Sequence, residues 1–165
     1  MKPIDANIAL YGFMGSGKST IGRLLAQFLT RSFVDLDQSI ELQHGSSITQ
    51  MFANRGEEYF RAKEEAAVLS LPLDVPHVLA LGGGALLRER NKNHICALYR
   101  VYTLFVPFAI LKDRLSLKKR PLASYAESLY DSRLTHYQSI GTAIPITTEL
   151  PTACMNLILE DLHAA

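Results

Sequence analysis

At 165 residues the chain is long enough for one domain that buries roughly 70% of the surface its unfolded form exposes. An apolar fraction of 48% and a charged fraction of 20% exclude a disordered or fibrous polymer. The formal charge of +1 excludes the broad basic field of a nucleic-acid binder and the polybasic tail of a membrane-surface protein, so any anion must be held by local charge.

Met1 to Asn7 carries Asp5 and no apolar stretch of signal-peptide length. The first predicted strand, Ile8 to Tyr11, runs straight into GFMGSGKST, residues 12 to 20. Gly12, Gly17, Lys18 and Ser19 satisfy G-x-x-x-x-G-K-[ST] in full, with Gly15 as an extra glycine and Ser16 and Thr20 completing the stretch. Consecutive backbone N–H groups can wrap a polyphosphate only where no side chains stand in the way. The helix that begins near Lys18 aims its unpaired amides and positive dipole end at the same anion. Lys18 can reach the β- and γ-phosphates, and the Ser19 hydroxyl can ligate Mg²⁺. A nucleoside triphosphate is the expected ligand.

The helix Lys18 to Leu29 places Ile21, Leu24, Leu25, Phe28 and Leu29 on one apolar face. A second strand, Ser32 to Asp35, precedes a helix Asp37 to Gln43. Alternation along an extended backbone is expected to put Asp35 and Asp37 on one side, at the carboxyl edge of the sheet. One carboxylate can order the magnesium shell while the other accepts an acceptor hydroxyl's proton. The bland alternative is that Asp37 only caps its helix. Helices Ile48 to Asn54 and Glu57 to Ser70 follow, and in the latter Arg61 faces Glu64 and Glu65 at i+3 and i+4, an ordinary surface pair unless a ligand is present.

A third strand, His77 to Leu81, ends in Gly82, Gly83 and Gly84. Three consecutive glycines cost conformational entropy, which favours a turn that a ligand approaches closely. The apolar window Val78 to Leu87 that contains them is about half as long as a membrane span. Next come a strand Val101 to Val106, a helix Phe108 to Leu115 and the cationic stretch Leu115 to Leu122. That stretch reads as an exposed segment between helices, a solvated loop or a lid. A helix Tyr125 to Ile140, a strand Ile144 to Thr147 and a helix Thr152 to Leu162 complete the chain. Short apolar runs alternating with helical periods predict an α/β fold around a parallel sheet. Cys96 and Cys154 lack any CxxC spacing and read as small buried groups in a reducing, cytoplasmic compartment.

No N-K-x-D sequence is present to read guanine, and the size argues against a motor, leaving a compact kinase for a small acceptor. In order, GFMGSGKST, Asp35-Leu36-Asp37, Phe60-Arg61-x-x-Glu64, Gly82-Gly83-Gly84, Arg120-Pro121-Leu122 and Arg133 with Tyr137 closely resemble the shikimate kinase family, over residues 8 to about 140. The resemblance implies a three-layer P-loop fold of the nucleoside-monophosphate-kinase type: a five-stranded parallel sheet with helices on both faces, a substrate-binding subdomain at about 35–64 and a lid at about 114–124. It implies transfer of the γ-phosphoryl of ATP, with Mg²⁺, to the 3-hydroxyl of shikimate by a cytoplasmic monomer that binds neither nucleic acid nor membrane. Carried over residue by residue, Asp37 would hold the acceptor hydroxyls and act as base, and Ser19 and Asp35 would serve the metal. Arg61, oriented by Glu64, and Arg133 would bind the shikimate carboxylate, with Gly82, Gly83 and Gly84 presenting backbone amides. Arg114 would stack on adenine, while Lys18 and Arg120 would stabilise the transferring phosphoryl. A gluconate kinase, another small-metabolite kinase, or an inactive nucleotide-binding regulator are the alternatives.

Overall fold

A computed structural model describes residues 6–117, 123–147 and 150–164. Its elements are β1 (Asn7–Tyr11), α1 (Lys18–Phe28), β2 (Ser32–Asp35), α2 (Leu36–His44), α3 (Ile48–Arg55), α4 (Glu57–Leu69) and β3 (His77–Ala80). They continue with α5 (Glu89–Leu98), β4 (Tyr99–Phe105), α6 (Phe108–Leu117), α7 (Ala123–Gln138), β5 (Thr142–Pro145) and α8 (Pro151–Ala164). The five strands pair in parallel in the order β2-β3-β1-β4-β5. β1 and β3 are buried at every residue. After the polar first residues Asn7 and His77, where the His77 N–H donates to Asn7 Oδ1, both strands are continuous apolar runs, as a parallel sheet covered on both faces demands. The crossover through α1 steps to one side of β1 and the crossover through α5 to the other. Right-handed connections therefore set α1 and α5 on opposite faces.

Register decides where the chemistry lies. Leu10 is level with Ala80 and with Tyr102, and Asp35 is level with Ala80. The carboxyl ends of β1, β2 and β3 thus lie at one edge of the sheet, the crevice in which open α/β folds bind ligands.

α1 buries Ile21, Gly22, Leu25 and Ala26, while Phe28 is 60% exposed. The expected apolar stripe is therefore rotated, because the ring of Phe33 sits where a side chain on Gly22 would go, 2.5 Å from its Cβ position. Close approach of helix to sheet selects small residues over large ones at such a contact. α8 begins at Pro151, whose missing N–H costs nothing at a helix start, and it buries Cys154, Ile158, Leu159 and Leu162. Each large aliphatic side chain of this set contributes about 1.5–3 kcal/mol on burial.

α5 is absent from the pattern-based reading. Its sequence ERNKNHICAL buries only Asn91 and Ile95, too few apolar positions for a helical period. Asn91 fits in the interior because its Nδ2 donates to the Ala85 carbonyl at 2.9 Å. Several boundaries also differ: β5 lies two residues earlier than expected, β4 starts at Tyr99, α2 starts at Leu36 rather than Asp37, and α7 runs Ala123–Gln138 rather than Tyr125 to Ile140. Cys154 is buried as expected, but Cys96 is exposed, on the solvent side of α5. No helix among the described residues is long and apolar enough to cross a membrane.

Candidate active site

The loop between β1 and α1 is shaped by backbone that only glycine adopts with ease. Gly12 has φ 138°, and a Cβ there would stand 2.7 Å from the Leu104 carbonyl oxygen. Gly17 is the α1 N-cap, at φ 95°, and offers no side chain to the first-turn amides. α1 also has no acidic residue in its first turn, so its positive end keeps its pull for an external anion. Ser16 is buried beneath the loop, and Thr20 lies on the exposed side. The Lys18 Nζ donates to the carbonyls of Gly12 at 2.8 Å and Phe13 at 2.9 Å. Arg114, in the last turn of α6, donates to the Gly15 carbonyl at 3.2 Å. Residues 118–122, and Arg120 with them, lie outside the described residues.

Asp35 and Asp37 have different local roles from those the alternation argument assigns. Asp35 ends β2, but α2 begins at once, so Asp37 is helical and the period-two argument does not reach it. Asp35, not Asp37, caps the helix: its Oδ1 accepts from the Gln38 N–H at 3.2 Å. Its other oxygen, Oδ2, accepts from the Ser19 hydroxyl at 2.7 Å. A hydroxyl and a carboxylate in contact, beside a phosphate loop, form an oxygen donor pair suited to Mg²⁺, which binds through one or two protein oxygens plus phosphates and water. The described residues contain no cluster of three or more His, Cys, Asp or Glu that would hold a metal alone.

Asp37 points inward. Its Oδ1 is buried without a hydrogen-bond partner and lies 2.6 Å from where a Cβ on Gly82 would be. Burial raises the Asp37 pKa above the ordinary aspartate value, partly offset by the positive charge of Lys18, while Asp35 and Glu41 push it further up. The result is a carboxylate held close to lysine, turned toward the glycine turn and short of one donor.

Arg61 sits on α4 with Phe60, Glu64 and Val68 buried along the same helix. A Glu only 1% exposed in an apolar row needs a cation, and its Oε2 accepts from Arg61 Nη1 at 2.7 Å. Glu57 supports the guanidinium from the other side at 3.2 Å. Glu65 does not face Arg61: it pairs with Arg88 at 3.2 Å and with Arg90 at 2.9 Å. The remaining Glu64 oxygen, Oε1, is buried without a partner. Burial raises the Glu64 pKa and Arg61 opposes the rise.

The three glycines fit between these groups. A side chain on Gly82 would strike the Asp37 carboxylate, and one on Gly84 would stand 2.6 Å from Arg61 Nη2. The Gly83 Cβ position is 3.5 Å from the Gly12 carbonyl oxygen and 3.6 Å from the Met14 N. Phosphate loop, acid and guanidinium therefore converge on one turn. Arg133, on α7, lies beside Tyr137, whose hydroxyl donates to the Gly83 carbonyl at 2.7 Å. Tyr11 reaches the same carbonyl at 3.3 Å. Pattern reasoning passes over Tyr11 because the last residue of an apolar strand reads as core, which it also is at 0% exposure.

The family model described as shikimate kinase matches residues 14–163. A shikimate kinase of Thermobifida fusca is 37% identical, over 94% of each chain. Among solved structures, a shikimate kinase of Acinetobacter baumannii in complex with shikimate superposes with a TM-score of 0.87 at 31% identity, covering 96% of this chain and 93% of that one. A gluconokinase of Sinorhizobium meliloti, covered to 97% by 98% of this chain, reaches only 0.55 at 15% identity, a likeness of fold alone.

Proposed function

This chain belongs to the shikimate kinase family, and from that premise we propose that it transfers the γ-phosphoryl of ATP to the 3-hydroxyl of shikimate, giving shikimate 3-phosphate and ADP. The observation that carries the reading is the convergence of Asp37 Oδ1, Arg61 and the phosphate loop on Gly82, Gly83 and Gly84. Asp37 Oδ1, buried and lacking a donor, is in the state that an acceptor hydroxyl completes.

ATP lies along Gly12, Gly15, Ser16, Gly17 and Thr20, with Lys18 toward its terminal phosphates and Arg114 at its far end. Ser19 and Asp35 would hold Mg²⁺, and the ion would supply positive charge against that developing on the phosphates. Arg61 and Arg133 grip the carboxylate of shikimate by paired N–H donors, with the backbone of Gly82 to Gly84 against its ring. The opposite end of the molecule, its hydroxyl, then faces the γ-phosphate. The hydroxyl oxygen forms a bond to phosphorus as the bond to the β-bridging oxygen breaks, and the hydroxyl proton passes to the Asp37 carboxylate. Positioning accounts for most of the acceleration phosphoryl transfer needs. Arg120, within the lid at about 114–124, stabilises charge on the moving phosphoryl, and residues 35–64 form the acceptor-binding part of the single domain.

All of these residues come from one chain, so a monomer suffices. The cytoplasm suits the exposed thiol of Cys96, and neither nucleic acid nor membrane is a partner. The test is ADP release from ATP and Mg²⁺ with shikimate, quinate, gluconate or no acceptor. Turnover with shikimate alone is expected, whereas turnover with another acid would reassign the pocket, and nucleotide binding without turnover would make the chain a regulator.

A further inference from the structure

A turn of three glycines has no side chains to fix its peptide planes, so their orientation must be imposed from outside. At Gly83 it is imposed by two phenols. The carbonyl oxygen accepts from Tyr137 Oη at 2.7 Å and from Tyr11 Oη at 3.3 Å. The Tyr11 ring is fully buried and the Tyr137 ring 2% exposed. The rings pack at 5.1 Å between centroids, and Tyr137 also meets Phe13 of the phosphate loop edge-on at 6.3 Å. The Gly83 carbonyl and the Gly84 N–H belong to one planar trans peptide and point in opposite directions. Pinning the oxygen therefore aims that N–H, and two donors on one carbonyl polarise the unit and strengthen it as a donor. The next donors along the turn are already committed, Ala85 N–H to the Gly82 carbonyl and Leu87 N–H to the Gly84 carbonyl. Tyr137 lies four residues after Arg133, on the same face of α7, and the Arg133 guanidinium lies beside its hydroxyl. One side chain thus ties the glycine turn to the second carboxylate-binding arginine.

We propose that Tyr137 and Tyr11 are positioning residues for acceptor binding, acting through the Gly83 carbonyl on the Gly84 amide and, for Tyr137, on Arg133. This rests on the acceptor site assigned above. The rings alone satisfy a packing role, so removal of the hydroxyls separates the two. Steady-state kinetics are measured with shikimate and ATP varied in turn, for the unmodified protein and for Tyr137→Phe, Tyr11→Phe and the double variant. Tyr137→Phe is expected to raise the KM for shikimate about tenfold and Tyr11→Phe, with the longer bond, about two- to threefold. The KM for ATP and the melting temperature should stay near those of the unmodified protein. Each single variant leaves the carbonyl one donor and the double variant none, so the double effect should exceed the product of the singles. An unchanged shikimate KM, or shikimate and ATP KM values that rise together with a fall in melting temperature, would overturn the proposal. Should Tyr137→Phe fail to fold, Tyr11→Phe carries the test by its two- to threefold effect on the shikimate KM alone. Absence of shikimate turnover by the unmodified protein would instead defeat the assigned reaction.

Discussion

Replacing Gly84 by Ala adds one methyl group against the guanidinium of Arg61. The backbone there lies outside the left-handed region, so the substitution brings no φ strain and its effect is steric. The new Cβ would stand 2.6 Å from Nη2, 2.8 Å from Nη1 and 2.9 Å from Cζ. Ordinary van der Waals contact begins at 3.4 Å, so the guanidinium must withdraw by about 0.8 Å from its present 2.6 Å. A flexible side chain absorbs this cheaply in stability, but Arg61 is held by Glu64 at 2.7 Å and Glu57 at 3.2 Å and moves as a unit with them. A displacement near 1 Å in a group that aligns a substrate costs about 100-fold. We therefore expect Gly84→Ala to raise the KM for shikimate by about that factor in an ADP-release assay, with the KM for ATP unchanged. Gly45→Ala is the control, since its Cβ meets nothing within 4 Å and only the left-handed φ of 62° resists it; it should lower stability by about 1 kcal/mol and leave both KM values alone. A shikimate KM for Gly84→Ala within twofold of the unmodified protein would refute the argument that Arg61 reads the acceptor from this position.

Asp37→Asn should lower kcat by about 100-fold or more while ATP still binds, and should also raise the melting temperature at neutral pH. The sign follows from burial: the folded state raises the Asp37 pKa, so ionised Asp37 opposes folding above the ordinary aspartate value. The advantage of Asn should shrink as the pH is lowered toward that value in thermal scans. By the same shift, the acid limb of the kcat/KM profile should lie above the ordinary aspartate range, with activity rising as Asp37 ionises. Arg61→Ala should weaken shikimate binding by about 2 kcal/mol in a calorimetric titration. It should also lower the melting temperature, because Glu64, 1% exposed, loses its cation. Glu57→Gln, at a side chain 61% exposed, should change it little. Retained affinity in Arg61→Ala would return the residue to an ordinary helix ion pair.

The central sheet was legible because parallel strands buried on both faces read as continuous apolar runs, and β1 and β3 do so after their first residues, Asn7 and His77. The phosphate loop was legible because its φ values admit almost no residue but glycine. What escaped has a common cause, that long-range packing overrides local pattern. α5 is held by Asn91 and Ile95 rather than by a stripe, and Phe28 is displaced from the core by the contact between Gly22 and Phe33. Within the site, Asp35, Asp37, Arg61 and the glycines could be singled out by residue type and order. Which carboxylate caps α2 could not, because the strand ends one residue before the helix begins. Nor could Tyr11 be given a role, since its partner Gly83 is 72 residues away along the chain.

The two carbonyl contacts of Lys18 make the resting phosphate loop its own competitor. Its ammonium already rests on the oxygens of Gly12 and Phe13, so an arriving nucleotide exchanges one set of acceptors for another rather than capturing an idle charge. The exchange discriminates by multiplicity. An anion with a single phosphate offers the lysine little more than the loop already does, whereas a triphosphate offers two groups at once and engages the α1 amides as well. Nucleotide affinity is thus a difference between two solvating shells of one ammonium, the loop carbonyls of Gly12 and Phe13 before binding and phosphate oxygens after it.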